Sequence, residues 1–210
     1  MKKLCLILLL APLCAGGCTT TYLVHVNGFS ERGEPIKENA SIYVSIDPNS
    51  GNPIFDDEIK AKIDMLLKQH GYVPAVSLEN SDYRLAFKTG LDSHRVTGYM
   101  PLYRPYFGFY DRYWGYYDFG YYGYVPYFET YYDQWLVMKV FASKSDDTGR
   151  DQQVIWIGEA ALATAVSDVR RLVNYLLIAG FEYFGKDTSG QIIVKIAPDD
   201  PRVLEISALR

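Results

Sequence analysis

Two stretches predict the centre of the fold: QWLVMKVFA at residues 134–142 and QVIWIGEAALA at residues 153–163. Both are rich in β-branched and aromatic side chains, a composition typical of strands. Between them lies a polar segment, residues 143–150, in which Asp146, Asp147 and Gly149 favour a turn. We therefore predict two long strands that pair in a hairpin.

Two segments outside this hairpin repeat apolar residues at helical spacing. Acidic residues 56–58 suit the N-terminus of the first helix, and Gly71 follows it as a C-terminal cap. Ser167 can cap the second helix, with Asp168 in its first turn, and Gly185 ends it. The apolar stripes are Ile59, Ile63, Leu66 and Leu67 in the first helix, and Val169, Leu172, Val173, Leu176, Gly180, Phe181 and Phe184 in the second.

Further strands are predicted at residues 21–26, 41–46, 82–89 and 191–197, and a polar tail follows the last of them. The element order is strand, strand, helix, strand, long insert, strand, strand, helix, strand. A mostly antiparallel sheet can cover the apolar faces of both helices. We expect an α+β fold, a two-layer sandwich with two helices on one face of the sheet. Residues 18–210 would form a single periplasmic domain.

The start of the chain is typical of an export signal at residues 1–17. Two lysines precede an apolar run at residues 4–13, which is about half the length of a membrane-spanning helix. The small residues 15–17 and Cys18 resemble the lipobox of bacterial lipoproteins. That resemblance implies cleavage before Cys18 and a covalent diacylglycerol and acyl lipid on it. The alternative is an ordinary secreted protein with a cysteine at the cleavage site.

Thr19 follows this cysteine, whereas an Asp there would resemble an inner-membrane retention signal. In a cell with two membranes, the expected location is therefore the periplasmic leaflet of the outer membrane. Apart from the lipid on Cys18, we expect no cofactor.

Charge and cysteine content exclude several kinds of function. The chain has 21 Lys and Arg against 25 Asp and Glu, a formal net charge of −4, and no long basic run. We therefore expect no nucleic-acid partner, and only the acyl chains would hold the domain at a membrane. All three cysteines, Cys5, Cys14 and Cys18, lie within or directly after the signal. The processed chain would have no thiolate metal site, disulfide or cysteine nucleophile.

An aromatic insert at residues 99–132 holds 13 of the 19 tyrosines. Glycines and prolines interrupt it, so we predict a long loop. Three interpretations are open: a surface loop whose rings pack together, a recognition surface for glycan, peptide or protein, and insertion at a membrane interface. The acidic residues of the insert disfavour the third. The candidate binding residues are Tyr106, Tyr110, Tyr113, Trp114, Tyr116, Tyr117, Tyr121, Tyr122 and Tyr124.

Catalytic and metal-binding motifs are not evident. His25, His70 and His94 lack the spacing of metal ligands, and no nucleophile elbow or phosphate-binding loop occurs. The acidic clusters at residues 56–58 and 146–147 fit a helix start and a turn. We therefore predict no catalytic residue and no metal site. A hydrolase would require a polar cleft in which carboxylates or histidines converge.

With these elements placed, residues 22–185 resemble an uncharacterised bacterial lipoprotein family, domain of unknown function 4136. The resemblance rests on the lipobox and the aromatic, glycine-rich middle, together with DEIKAKIDMLLKQHGY at 57–72, SDYRLAF at 81–87, LVMKV at 136–140 and VIWIGE at 154–159. The family has no established catalytic residues. Its architecture is similar to that of small periplasmic domains that act as accessory or assembly factors.

These features together predict a membrane-anchored envelope lipoprotein with a non-catalytic structural, assembly or protein-interaction role. Its partner would be another envelope protein, contacted through the aromatic insert. The alternative is a module that binds glycan or peptidoglycan through the same insert.

Overall fold

The computed structural model describes residues 21–31, 36–105, 120–142 and 153–209, with the backbone alone at residues 102–105 and 120–123. The predicted signal at residues 1–17, the lipidation site Cys18 and the turn at residues 143–150 lie outside the described residues. These predictions therefore stay predictions.

A sheet of seven strands forms the centre of the fold. The strands are β1 (Tyr22–Ser30), β2 (Ser41–Ser45), β3 (Val73–Pro74), β4 (Tyr83–Pro105), β5 (Gly120–Ala142), β6 (Val154–Thr164) and β7 (Ile192–Ile196). Their order is β3-β2-β4-β5-β6-β1-β7. Strand β2 is parallel to β3 and β4, and the other four neighbouring pairs are antiparallel. The fold is thus mixed α/β with a mostly antiparallel sheet, and the predicted central pair corresponds to β5 and β6.

The first helix, α1, spans Pro53–Gln69 and begins before the acidic cluster that was expected to start it. The Asn52 side chain accepts a hydrogen bond from the Phe55 backbone N–H at 3.2 Å, and Pro53 occupies the first turn, where its missing N–H costs nothing. The predicted apolar stripe is buried. Gly71 follows the helix with φ of 84°, the left-handed conformation expected of a C-terminal glycine.

Helix α2 spans Val169–Glu182 and is capped by Asp168 rather than by the predicted Ser167. The Asp168 carboxylate accepts from the Arg171 backbone N–H at 3.1 Å, and its charge also suits the positive end of the helix. A third helix, α3, spans Pro201–Ser207, so the expected polar tail is wrong. Its cap is Asp200, and the apolar pair Val203 and Ile206 anchors it in the core.

The core is one apolar cluster to which all three helices and six strands contribute. Ten consecutive residues of α2, from Leu172 to Phe181, are buried. A truncation such as Leu176→Ala would therefore cost about 2–5 kcal/mol of stability. Along β4 and β5, alternate residues such as Leu85 and Leu136 are buried. We call the side of the sheet that carries them the core face and the opposite side the outer face.

The prediction that residues 99–132 form a loop is wrong for the described residues. Strands β4 and β5 pair in continuous antiparallel register from Tyr83–Ala142 to Pro105–Gly120, so this insert extends a hairpin. Tyrosine and phenylalanine favour strands. The prolines Pro101, Pro105 and Pro126 are tolerated because a strand with an unpaired side can point a residue without an N–H outward.

Candidate functional site

The distal part of this hairpin is a two-stranded ribbon, which we call the arm: residues 94–105 of β4 and 120–131 of β5. Strand β2 pairs with β4 only as far as Ala86, and β6 pairs with β5 only from Tyr132 onward. Among the described residues, no strand pairs with either side of the arm. Twelve residues per strand correspond to a length of about 40 Å. The arm therefore exposes two long rows of backbone donors and acceptors.

The core face of the arm carries exposed aromatic rings. Tyr124 is 74% exposed, Tyr99 is 68% exposed and Phe128 is 64% exposed. The register places Thr97 opposite Phe128 and Pro101 opposite Tyr124, so these rings line one side of the ribbon. No helix covers them, unlike the buried residues of the same face nearer the sheet. A patch of this kind typically marks a contact surface.

The outer face of the arm is also apolar at its far end. Met100, Val125 and Tyr127 are all exposed. The Tyr127 ring lies over Gly98, where a Cβ atom would overlap it. A two-stranded ribbon with apolar side chains on both faces cannot bury either one by itself. Both apolar faces of the arm therefore stay exposed in this structure.

At the base of the arm, the outer face carries a polar cluster. The His94 Nδ1 lies 2.7 Å from the Asp133 carboxylate, and the His94 ring stacks on Tyr131 at 6.1 Å between centroids. The Tyr131 hydroxyl donates to Glu129 at 3.3 Å, and that carboxylate raises the pKa of Tyr131. These contacts fix the position of His94, which lies in β4.

The predicted site residues are only partly located. Tyr124 lies on the arm with its ring exposed, and Tyr121 and Tyr122 lie in β5 opposite Arg104 and Tyr103. Cys18 and the remaining candidates, Tyr106, Tyr110, Tyr113, Trp114, Tyr116 and Tyr117, lie outside the described residues.

The sequence-based candidates did not include six exposed apolar residues of the arm, namely Val96, Tyr99, Met100, Val125, Tyr127 and Phe128. The glycines and prolines among them favoured a loop, so no strand face was predicted on which these residues could be grouped.

The arm extends from the same end of the sheet at which the N-terminal end of β1 lies. His25 pairs with Ala161, and the same register continued to Tyr22 brings it level with Thr164. Thr164 in turn pairs with Tyr132 at the base of the arm. The N-terminal end of β1 and the base of the arm therefore share one end of the sheet.

A polar cleft of about 870 Å³ lies where α1, α2 and α3 meet. Lys62, only 2% exposed, donates to Glu58 at 2.7 Å, and Arg170 lies 3.7 Å from the same carboxylate. Asn174, 3% exposed, donates to the Ser207 hydroxyl at 2.8 Å. Glu58 is thus held in an ion-pair network, and Asp168 caps α2. These contacts assign a structural task to Glu58 and Asp168, two of the three carboxylates that line the cleft; the third is Asp57.

The histidines do not converge on one site. His25 lies in β1, and His70 follows α1, where its ring packs against Phe181 at 5.6 Å and burial lowers its pKa. Within the described ranges, no group of three or more His, Cys, Asp or Glu residues is placed to hold a metal ion. None of the described helices is both long and apolar enough to cross a membrane.

A second cavity, of about 560 Å³, lies on the outer face where β2 separates from β4. Its lining includes Arg84 and Lys88 of β4 and Trp135 and Lys139 of β5, with residues 46–48 as one wall. Basic and apolar side chains therefore meet in a concave site outside the arm.

Comparisons with known proteins give a family match and distant structural likenesses. A family described as domain of unknown function (DUF4136) matches residues 26–173. No curated protein matches the chain.

Three solved structures resemble it at low identity. A PDZ domain protein from Parabacteroides distasonis has a TM-score of 0.44 and 14% identity over 85% of this chain, which spans 40% of that protein's length. The PelC dodecamer from Paraburkholderia phytofirmans has a TM-score of 0.42 and 10% identity, over 77% of this chain and 99% of that one. A DUF4136 family protein from Bacteroides thetaiotaomicron has a TM-score of 0.38 and 17% identity, over 75% of this chain and 91% of that one.

Proposed function

The chain belongs to the DUF4136 family of domains of unknown function, and we propose that it is a lipid-anchored envelope protein that works by protein contact through its arm. The family resemblance read from the sequence is thereby confirmed. The observation that carries the proposal is the arm itself: a ribbon about 40 Å long with two unpaired sides and exposed rings.

The chemistry of the arm suits a protein partner. An extended segment of another protein can add to an unpaired strand through main-chain hydrogen bonds, and pockets for alternate side chains then give specificity. Exposed aromatic rings such as Tyr99, Tyr124 and Phe128 are the residue types that dominate binding energy at interfaces. A partner strand that pairs alongside β4 or β5 would use both the main-chain hydrogen bonds and the aromatic rings.

The position of the proposed anchor supports a partner at the membrane. In this proposal residues 1–17 are removed and Cys18 carries the lipid. Tyr22 follows Cys18 by four residues, which span at most about 14 Å. The arm extends from the same end of the sheet and is much longer. A domain held by Cys18 would therefore direct its arm toward the anchoring membrane, where a membrane-associated protein is within reach.

The same proposal includes the location of the domain and the arrangement of its layers. The domain would lie in the periplasm, on the outer membrane, with α1 and α2 packed on one face of the sheet in two layers. The common apolar cluster of both helices with the core face supports that arrangement. The proposal assigns no catalytic residue, cofactor or nucleic-acid partner.

The test is photo-crosslinking in cells. A crosslinking residue at Tyr99 or Tyr124 is expected to give one discrete adduct with an envelope protein. The control position is Leu23, which is exposed and lies at the same end of the sheet but outside the arm. Identical adducts from Leu23 and from the arm, or none from the arm, would contradict the proposal.

A shortened variant makes the same test without a crosslinker. Removing residues 101–130 would leave Arg95 and its successors without the strand opposite. Replacing residues 97–128 with Asn-Gly instead joins Val96 to Glu129, which already face each other, through a favoured two-residue turn. This variant should keep the urea midpoint of unfolding within the error of the original protein and lose the partner.

A glycan-binding role is the second candidate, because Tyr99, Tyr124 and Phe128 form a row of rings on which sugars can stack. It predicts that the protein sediments with purified sacculi and that the shortened variant does not. Sedimentation of both proteins, or of neither, would leave protein contact as the function of the arm.

A further inference from the structure

The cavity on the outer face is formed by the way β2 ends. Strand β2 pairs with β4 up to Ala86, and the chain then turns away through Ile46, Asp47 and Pro48. This leaves a notch beside β4, with Ala86 as a small floor and Trp135 at the far side. Its volume of about 560 Å³ lies in the range of small-molecule sites.

Three cations surround this notch. Arg84 lies opposite Phe141, Lys139 opposite Ala86 and Lys88 opposite Val137, so Lys139 is diagonal to both of the others. Among the described residues, Lys88 and Lys139 have no acidic group within ion-pair distance. The one acidic side chain of the lining, Asp47, accepts from the Asn49 backbone N–H at 2.9 Å. A positive site thus exists in a chain of net charge −4.

The Arg84 side chain is fixed in position, but one of its hydrogen-bond donors has no acceptor among the described residues. Its guanidinium stacks over the Phe141 ring at 4.4 Å, which fixes its plane. Its Nε is buried and has no hydrogen-bond acceptor in the described part of the chain. Burying such a donor without an acceptor costs free energy, so the Arg84 guanidinium keeps unused hydrogen-bonding capacity, and charged donors of this kind pair strongly with anions.

The rest of the lining is apolar. Ile46 and Pro48 form one wall, and the Trp135 ring forms another. The ring is fixed because its Nε1 donates to Asp92 at 2.9 Å and it lies flat over Gly90. A bare inorganic anion would leave these surfaces uncovered, whereas a molecule with an apolar body would bury them.

We propose that this notch is a binding site for a small organic acid, in which Arg84, Lys88 and Lys139 hold a carboxylate and Trp135, Ile46 and Pro48 cover an apolar body. The site is separate from the arm and does not depend on the function proposed for it. Since three like charges repel one another on one surface, the anion also relieves their mutual repulsion.

The experiment is calorimetric titration of the full chain in a neutral detergent, with detergent alone as the blank. The probe is naphthalene-2-carboxylate, and the comparison ligand is the neutral naphthalene-2-carboxamide. The carboxylate is expected to bind at one site, about tenfold or more tighter than the amide, and more weakly as salt is raised. Inorganic phosphate at the same concentration should not displace it.

The variants locate the binding. Lys88→Gln combined with Lys139→Gln should weaken carboxylate binding about tenfold, since two charge-assisted contacts are lost. Lys195→Gln is the matched control, because Lys195 is an exposed lysine on a strand of the same face but outside the cavity. The proposal would be overturned if the amide bound as tightly as the carboxylate, or if phosphate displaced the carboxylate. It would also be overturned if Lys195→Gln weakened carboxylate binding as much as the double variant does.

Discussion

Aromatic rings lie over glycines at three places in the sheet: Trp135 over Gly90, Tyr127 over Gly98 and Trp156 over Gly158. In each case a ring occupies the space that a Cβ would take. The first two lie on the outer face, where the ring has one side free, and the third is buried in the core. Contact between an aromatic ring and a glycine therefore occurs both at the candidate sites and in the hydrophobic core.

The buried contact between Trp156 and Gly158 can be tested by substitution. In Gly158→Ala the new methyl group would overlap the Trp156 ring, which is 1% exposed, packs edge-on against Phe184 and donates to the Lys186 carbonyl at 3.1 Å. The ring cannot move aside, so we expect a loss of about 1–3 kcal/mol in urea unfolding. Gly190→Ala is the control, since nothing lies near its Cβ position and no loss is expected there. Equal stability of the two variants would show that the Trp156 ring can shift.

The hairpin of β4 and β5 has two parts, which differ in their neighbouring strands and in the burial of their core face. From Tyr132 to Phe141, β5 has β6 on its other side and a buried core face. In the arm, each strand has a single neighbour and exposed side chains. Two-stranded ribbons are marginally stable in water when nothing else packs on them.

Hydrogen exchange can measure this difference. In the isolated protein, amides of residues 94–100, 124–125 and 127–131 should exchange at least about a hundredfold faster than those of residues 134–140, because opening the arm exposes little core. Partner binding should slow exchange in the arm and leave residues 134–140 unchanged. Uniform protection along the whole hairpin of the isolated protein would contradict the view that the arm stands alone.

At the scale of the whole molecule, charge and the proposed anchor make separate predictions about membrane attachment. The formal net charge of −4 of the full chain provides no attraction to anionic lipid, so in our proposal the lipid on Cys18 holds the domain at the membrane. A high-salt wash should leave the protein in the membrane fraction, and Cys18→Ala should move it to the soluble fraction. Release of the unchanged protein by salt alone would show that surface charge holds it instead.

Elements whose physical signal is local could be predicted from the order of the amino acids alone. Residues 134–142 of β5 and strand β6 follow from runs of β-branched and aromatic residues, and the apolar stripes of α1 and α2 follow from spacing of three and four residues. Of the candidate site residues, Tyr124 was found because it belongs to an unusual composition. Where two polar residues compete for one role, as Ser167 and Asp168 do for the cap of α2, the local pattern does not decide.

Contacts between residues that are distant along the chain could not be predicted in this way. Glycines and prolines at residues 98–126 predict a loop when each is read alone, but pairing across β4 and β5 supplies the hydrogen bonds and rings that stabilise a ribbon. The notch around Arg84 was equally invisible, because it depends on where β2 stops beside β4 and on Lys139, which lies more than fifty residues along the chain. Local propensity acts over a few residues, whereas strand pairing is a long-range choice made by the packing of the whole chain.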